Sequence, residues 1–313
     1  LYKLIIVFFL TVSCSAISII DYSDRIIGEN KEHIYKLVRK YRKEGDLVAP
    51  KGYKLNKHND KKHRYYVLRN NGNSDNLLLL VHGGAYERTY IQQKQIDFLV
   101  DLKEKNNIEY DNILIDYKEK KYPYQGEELD NLIDFVIKKY KKVVLIGDSS
   151  GAGLILSVIL KRQSENKVIP DALVLMSPLA DLKNRVKSRF KNFKNDFLAA
   201  RSTYLTPLIH NEYVDESMYE NIYVSPVYAD YVDFPKTLMQ YGKSEILADD
   251  SIIVCNKINK NNSNCILEGY DDVIHAFQYL RFFHEKRELA IKNINKFIEN
   301  IFGSIDDKRT ENK

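Results

Sequence analysis

No stretch rich in proline, glycine and serine divides the 313 residues, which hold only 7 prolines and 13 glycines. Without a linker, one large domain with a decorated surface is the expected organisation. No internal repeat runs through the chain, which sets aside a repeat architecture. A run of arginines and a nucleic-acid motif are also missing. The formal net charge of +5 is spread over lysine-rich stretches such as Lys118 to Lys121 and Lys138 to Lys142, which read as solvated faces, so nucleic acid is not an expected partner. Cysteine is scarce, with Cys14, Cys255 and Cys265 as the whole set. Loss of Cys14 with a cleaved leader leaves an even pair, which either forms a disulfide in an oxidising lumen or remains as two buried thiols.

Charge is nearly absent from Leu1 to Ile20, where Lys3 precedes an apolar run that ends at Asp21 and Asp24. This has the form of a targeting segment. As a helix it would span about 25 Å, short of the roughly 30 Å hydrocarbon core. Cleavage after Ala16 and retention as a signal anchor both fit. Either route keeps Lys3 on the cytosolic side and sends the remainder into the secretory pathway, to the endoplasmic reticulum lumen or membrane or outside the cell. Membrane association through residues 1–20 belongs to the anchor reading. Asn261-Asn262-Ser263 is a candidate N-glycosylation acceptor.

The most informative stretch is Val143 to Gly153, Val-Val-Leu-Ile-Gly-Asp-Ser-Ser-Gly-Ala-Gly. Its first four residues are β-branched or aliphatic throughout, as in a parallel strand buried on both faces, and Ala152 to Arg162 has helical spacing. Between them Gly147-Asp148-Ser149-Ser150-Gly151 forms a G-x-S-x-G, the sharp strand-to-helix turn that projects a nucleophilic serine. Ser149 is therefore the candidate nucleophile. The N–H of Ser150 and the helix N-terminus face a developing oxyanion. A second loop, His82-Gly83-Gly84-Ala85-Tyr86, follows an apolar run from Leu77 to Val81. Consecutive glycines leave backbone N–H groups unobstructed, as an oxyanion hole requires, and Gly84 and Ala85 would donate beside Ser150.

Strand and helix patterns then alternate. Strands are expected at Tyr65 to Leu68, Leu77 to Val81, Asn112 to Tyr117, Val143 to Ile146, Asp171 to Met176, Thr237 to Tyr241 and Cys265 to Glu268. Helices are expected at His33 to Lys43, Ile91 to Lys105, Glu127 to Tyr140, Asp250 to Lys260 with Asp249 or Asp250 as cap, and His284 to Ile301. The alternation predicts an α/β fold with a mostly parallel central sheet, helices on both faces, and active residues at the strands' C-terminal ends. Residues 21–303 make up this domain. Its lid elements are placed at about 21–60 and 183–233, and 304–313 is a charged tail expected to be disordered.

A serine nucleophile needs a base and a carboxylate to orient it. His275 and Glu245 each follow an expected strand, and the order serine, acid, histidine suits this topology. Asp249 is the competing acid. Asp148 adjoins the nucleophile and is read as structural, as is His82.

Together these stretches resemble the hormone-sensitive-lipase-like branch of the α/β hydrolases, the group of arylacetamide deacetylases and fungal steryl acetyl hydrolases. The resemblance spans most of Leu77 to Phe277. It includes the His-Gly-Gly loop, Asp116-Tyr117 with Tyr122-Pro123, Gly-Asp-Ser-Ser-Gly-Ala-Gly, Ser177-Pro178 with Asp181, Gly242 to Asp250, and Val273-Ile274-His275-Ala276-Phe277. It implies a triad of Ser149, Glu245 and His275, an oxyanion hole from Gly83, Gly84, Ala85 and Ser150, and neither cofactor nor metal. The implied activity is hydrolysis of small-molecule lipophilic esters, acetylated sterols included. An arylformamidase-like amide hydrolase and an inactive ligand-binding hydrolase fold are the alternatives. Three departures stand out: Ala85 replaces the third glycine, Ser150 follows the nucleophile, and the acid is Glu where many relatives carry Asp.

Overall fold

Aliphatic runs with no polar interruption become the middle of a single eight-stranded sheet in the computed structural model, which describes residues 46–60, 62–70, 72–192, 196, 213–261 and 265–304. The leader 1–20, the helix expected at His33 to Lys43, most of 193–212 in the lid, Ser263 of the sequon and the tail from residue 305 lie outside them.

In chain order the strands are β1 (Lys54–Asn59), β2 (Arg64–Arg69), β3 (Asn76–Val81), β4 (Asp111–Ile115), β5 (Lys142–Asp148), β6 (Ala172–Met176), β7 (Lys236–Gly242) and β8 (Cys265–Tyr270). They lie side by side as β1-β2-β4-β3-β5-β6-β7-β8. β1 pairs antiparallel with β2, and β2 antiparallel with β4; every other pairing is parallel. The helices are α1 (Gln93–Glu104), α2 (Tyr124–Ile137), α3 (Ser149–Ser164), the single turn α4 (Ser188–Lys191), α5 (Ala248–Lys260) and α6 (His284–Phe302).

Period-two alternation divides the core between the two sheet faces. Leu77, Leu79, Val81, Val143, Leu145, Leu173 and Leu175 face α2, α3 and α5. Leu78, Leu80, Val144, Ile146, Val174 and Met176 face α1 and α6. The interiors of β3, β5 and β6 are thus apolar at successive positions, the pattern of a parallel strand covered on both sides.

The structure adds two things to the sequence reading. β1, within the front segment read as lid, is an edge strand; its Lys-Leu-Asn-Lys-His-Asn is almost wholly exposed, so no apolar alternation marks it. Lysine-rich exposed edges of this kind also discourage pairing with another sheet. The later part of the 183–233 segment is not a loose cover. Tyr213, Val214, Tyr219, Val224, Val227 and Tyr231 are buried in the core beside α3, and the described residues from Val214 on form the short 3-10 turns Glu216–Met218 and Pro226–Tyr228.

Of the two states left open for the cysteines, the structure has the disulfide: Cys255 on α5 is bonded to Cys265 at the start of β8, ten residues on. Asn259 brackets the same junction, accepting from the Cys265 N–H at 2.8 Å and donating to its carbonyl at 2.9 Å. Closing so short a loop restricts the unfolded chain by about 3 kcal/mol. Cys255→Ala/Cys265→Ala should therefore lose about that much in urea unfolding, and reductant should destabilise the parent but not the variant. At the nearby sequon, the Asn261 side-chain amide donates to the Tyr231 carbonyl at 2.7 Å, so that nitrogen is already engaged.

Candidate active site

Because β3 to β8 run parallel, the loops that leave β3, β5, β6, β7 and β8 emerge along one edge of the sheet. After β3 the chain crosses to α1 on one face, whereas after β5 it enters α3 on the other. The crevice between β3 and β5 is thus a topological switch point, where open α/β sheets bind ligands. Ser149 and the His82 to Tyr86 loop sit on its two sides.

Ser149 is the first residue of α3 and holds a left-handed backbone, φ 54°, so the chain turns sharply out of β5. The turn is possible because the helix presses against the neighbouring loop: a Cβ on Gly151 would come within 2.2 Å of the Val81 carbonyl oxygen. Ala85, Tyr86, Ser177 and Ala276 also have positive φ. Non-glycine residues pay about 1–3 kcal/mol each for such backbones, and strain of this kind collects at working sites.

His275 and Glu245 are paired. The ring Nδ1 lies 2.9 Å from Glu245 Oε2, and the carboxylate is 1 % exposed. Its other oxygen, Oε1, accepts from the Ser177 hydroxyl at 2.8 Å and from the Gly242 N–H at 2.6 Å. The additional methylene of Glu is absorbed by folding the side chain back over Gly242, where a Cβ would stand 2.7 Å from Oε1. Asp249 goes elsewhere, accepting the Ser188 N–H at 2.7 Å. Asp249 and Asp250 lie in the first turn of α5 and neither caps it. Instead Asp250 is buried, ties the N–H groups of Ala180 and Asp181, and is paired with Arg189.

Burial pulls the His275 ring toward its neutral form, but the hydrogen bond and charge of Glu245 outweigh it, and the charges of Asp196 and Asp148 also favour the protonated ring. The net result is a pKa above the ordinary histidine value of 6.5. His82 is the opposite case. Burial, reinforced by the Arg88 charge, pushes it down to about 4, so it is a neutral ring; Nδ1 lies 3.0 Å from the Gly83 carbonyl and the ring packs on Tyr117. Its role is to shape the loop, as expected.

The glycine loop is held from several directions. The Gly83 N–H donates to Asp148 Oδ1 at 2.9 Å, and the same oxygen accepts the Tyr279 hydroxyl at 2.8 Å. Arg88 reaches back to the Gly83 carbonyl. The Gly83 N–H, one of the expected oxyanion donors, is thus engaged by Asp148. The Gly84 N–H is turned to Ser150 Oγ at 3.0 Å. Ala85 keeps the left-handed backbone of a glycine, φ 57°, and Tyr86 stacks on Tyr213 at 3.9 Å between ring centres. The hold of Ser177 on Glu245 is invisible in sequence because 68 residues separate the two.

Among the described residues, no three His, Cys, Asp or Glu side chains gather as a metal set. Two open hollows lie away from Ser149. One of about 420 Å³ is lined by Lys236, Asn259 and Ile301 at the opposite edge of the sheet, and one of about 460 Å³ by Arg185, Tyr228 and Asp249.

Comparisons with known proteins bear on the fold and the family. A protein named as an esterase from Acinetobacter venetianus is 27 % identical over 228 residues, 71 % of this chain and 74 % of that one. An acetyl-hydrolase from Streptomyces hygroscopicus is 25 % identical over 138 residues; the match spans 44 % of this chain and 46 % of that protein's length. Among solved structures, the hormone-sensitive-lipase homologue EstE7 from a metagenome library superposes with a TM-score of 0.76 at 21 % identity, covering 92 % of this chain and 99 % of its own. EstE5 soaked with p-nitrophenyl butyrate gives 0.73 at 20 % identity, over 88 % and 99 %. The family model for the alpha/beta hydrolase fold matches residues 78–279, more than half of the sequence, and the chain belongs to that family.

Proposed function

We propose that this protein is a serine carboxylic ester hydrolase acting on small or medium acyl esters of lipophilic alcohols, acetylated sterols among them. The observation that carries the reading is the buried Glu245–His275 pair, 2.9 Å apart at the sheet edge where Ser149 leaves β5. In this account His275 Nε2 takes the Ser149 proton as Oγ attacks the ester carbonyl, while Glu245 fixes the Nδ1–H tautomer and steadies the imidazolium. The N–H groups of Ala85 and Ser150 receive the oxyanion. His275 returns the proton to the departing alcohol, and water activated by the same ring then releases the acid from Ser149. The names of the relatives support esters as substrates, and acetyl groups in particular.

An ester panel of increasing acyl length, run beside a formyl-amide substrate, tests the class. Turnover of short p-nitrophenyl esters with little amide cleavage is expected; the reverse preference would place the enzyme with amide hydrolases. The pH profile adds a second check. The base must be neutral to accept a proton, and a raised pKa keeps His275 protonated to higher pH, so kcat/KM should rise with pH through an apparent pKa above 6.5. A limb at or below that value would contradict the Glu245 pairing.

We also propose that residues 1–20 carry the chain into the secretory pathway, as a cleaved signal or an anchor. The Cys255–Cys265 disulfide supports an oxidising compartment. Among the described residues, no helix is long and apolar enough to cross a membrane. Fractionating cells that express the full chain would separate a secreted product from one held in the membrane pellet.

A further inference from the structure

The residue after the nucleophile carries a hydroxyl whose position the proposed reaction does not yet use. Ser150 is 3 % exposed, and its Oγ accepts the Gly84 N–H at 3.0 Å. With the Gly83 N–H on Asp148 as well, two of the loop's N–H groups point at side chains of the elbow and not into the crevice. Ser150 lies at the start of α3, where N–H groups have no acceptor within the helix, so its own N–H remains available.

A hydroxyl has one proton to give and two lone pairs. The Gly84 N–H takes a lone pair, and among the described residues no acceptor takes the proton. Accepting a hydrogen bond polarises the O–H and makes it a stronger donor. A buried donor left without an acceptor costs free energy in the resting enzyme, which is recovered only when an acceptor arrives. The Oγ is attached to the same residue whose N–H faces the oxyanion, so the acceptor that arrives beside it is the developing oxyanion itself. A bond made only then favours the transition state over the bound ester.

Resting on the reading of Ser149 as nucleophile, we propose that the Ser150 hydroxyl is a side-chain donor of the oxyanion hole, held in place by Gly84 and substituting for the Gly84 N–H. The donors are then the Ala85 N–H, the Ser150 N–H and the Ser150 O–H. Ser150 touches the reacting oxygen and is in that sense catalytic.

The test is steady-state hydrolysis of p-nitrophenyl acetate by the parent, Ser149→Ala, Ser150→Ala and Ser150→Cys, with the matching thionoester as a second substrate. Ser150→Cys nearly preserves volume while offering only a weak donor, and it serves if the alanine variant does not fold. Loss of the hydroxyl should lower kcat by about tenfold or more, with KM changed by less than about threefold. The preference for ester over thionoester should narrow, because sulfur accepts hydrogen bonds poorly and gains little from the hydroxyl. A fall in kcat of less than about fivefold, or a rise as Gly84 is released, would show that the hydroxyl merely occupies the loop and would overturn the proposal. Those results leave the esterase reading standing so long as the parent turns over and Ser149→Ala does not. A parent without Ser149-dependent turnover overturns both.

Discussion

Ser149→Ala is expected to reduce kcat on short p-nitrophenyl esters by about 10⁴-fold or more while leaving the fold and KM nearly unchanged. The serine supplies the bond-forming atom, so nothing at the site substitutes for it. Its backbone contribution survives the change: the Ser149 carbonyl still accepts the Leu179 N–H, a bond of 2.9 Å that ties the elbow to the loop after β6. Alanine must adopt the same φ of 54°, a strain the serine already bears. Residual activity above the uncatalysed rate would come from the oxyanion donors and substrate binding alone. Steady-state kinetics with circular dichroism on the same samples separates this from unfolding.

Glu245→Gln should be nearly as damaging, at about 10⁴-fold in kcat, through a different cause. Glutamine preserves the shape but brings an NH₂ group that can meet Nδ1 only as a donor, which favours the wrong ring tautomer. It also removes the charge that holds the His275 pKa up against burial. The acid limb of whatever activity remains should therefore move to lower pH than in the parent. Stability should suffer too, because the Ser177 hydroxyl, the Gly242 N–H and the His275 ring all converge on this buried carboxylate. Breaking such a buried, charge-assisted set by changing one partner costs about 3 kcal/mol. Glu245→Asp keeps the charge but is one methylene shorter, and it cannot span from Gly242 and Ser177 to His275 without moving one of them. Its kcat should fall between those of the parent and Glu245→Gln, with a parent-like pH limb.

The positions of the triad candidates were legible because each sits just beyond an apolar strand, and parallel strands end at one edge. Val143 to Ile146 and Thr237 to Tyr241 announced themselves by unbroken aliphatic or alternating runs, and Ser149 and Glu245 followed from them. β1 did not, since Lys54–Asn59 is almost wholly exposed and is placed by backbone pairing to β2 and a few side-chain contacts such as His58 on Tyr65. Tyr213 to Tyr231 read as a cover because its apolar residues follow neither helical nor strand spacing; irregular backbone buries them in the core all the same. The division of labour in the glycine loop was also out of reach. Gly83, Gly84 and Ala85 are equivalent as a string, and only the placement of Asp148 and Ser150 against them shows which N–H groups the elbow's side chains engage. Likewise, the roles of Ser177 and Asp250 depend on partners 68 and 70 residues distant.

The central claim is that Ser149, and not its neighbour, forms the covalent intermediate. Labelling the intact protein with a fluorophosphonate and mapping the modified peptide tests it most directly. The account predicts one adduct per chain, located on Ser149, abolished by Ser149→Ala and retained in Ser150→Ala. An adduct on Ser150, or on another residue with Ser149 unmodified in an enzyme that turns over esters, would contradict it.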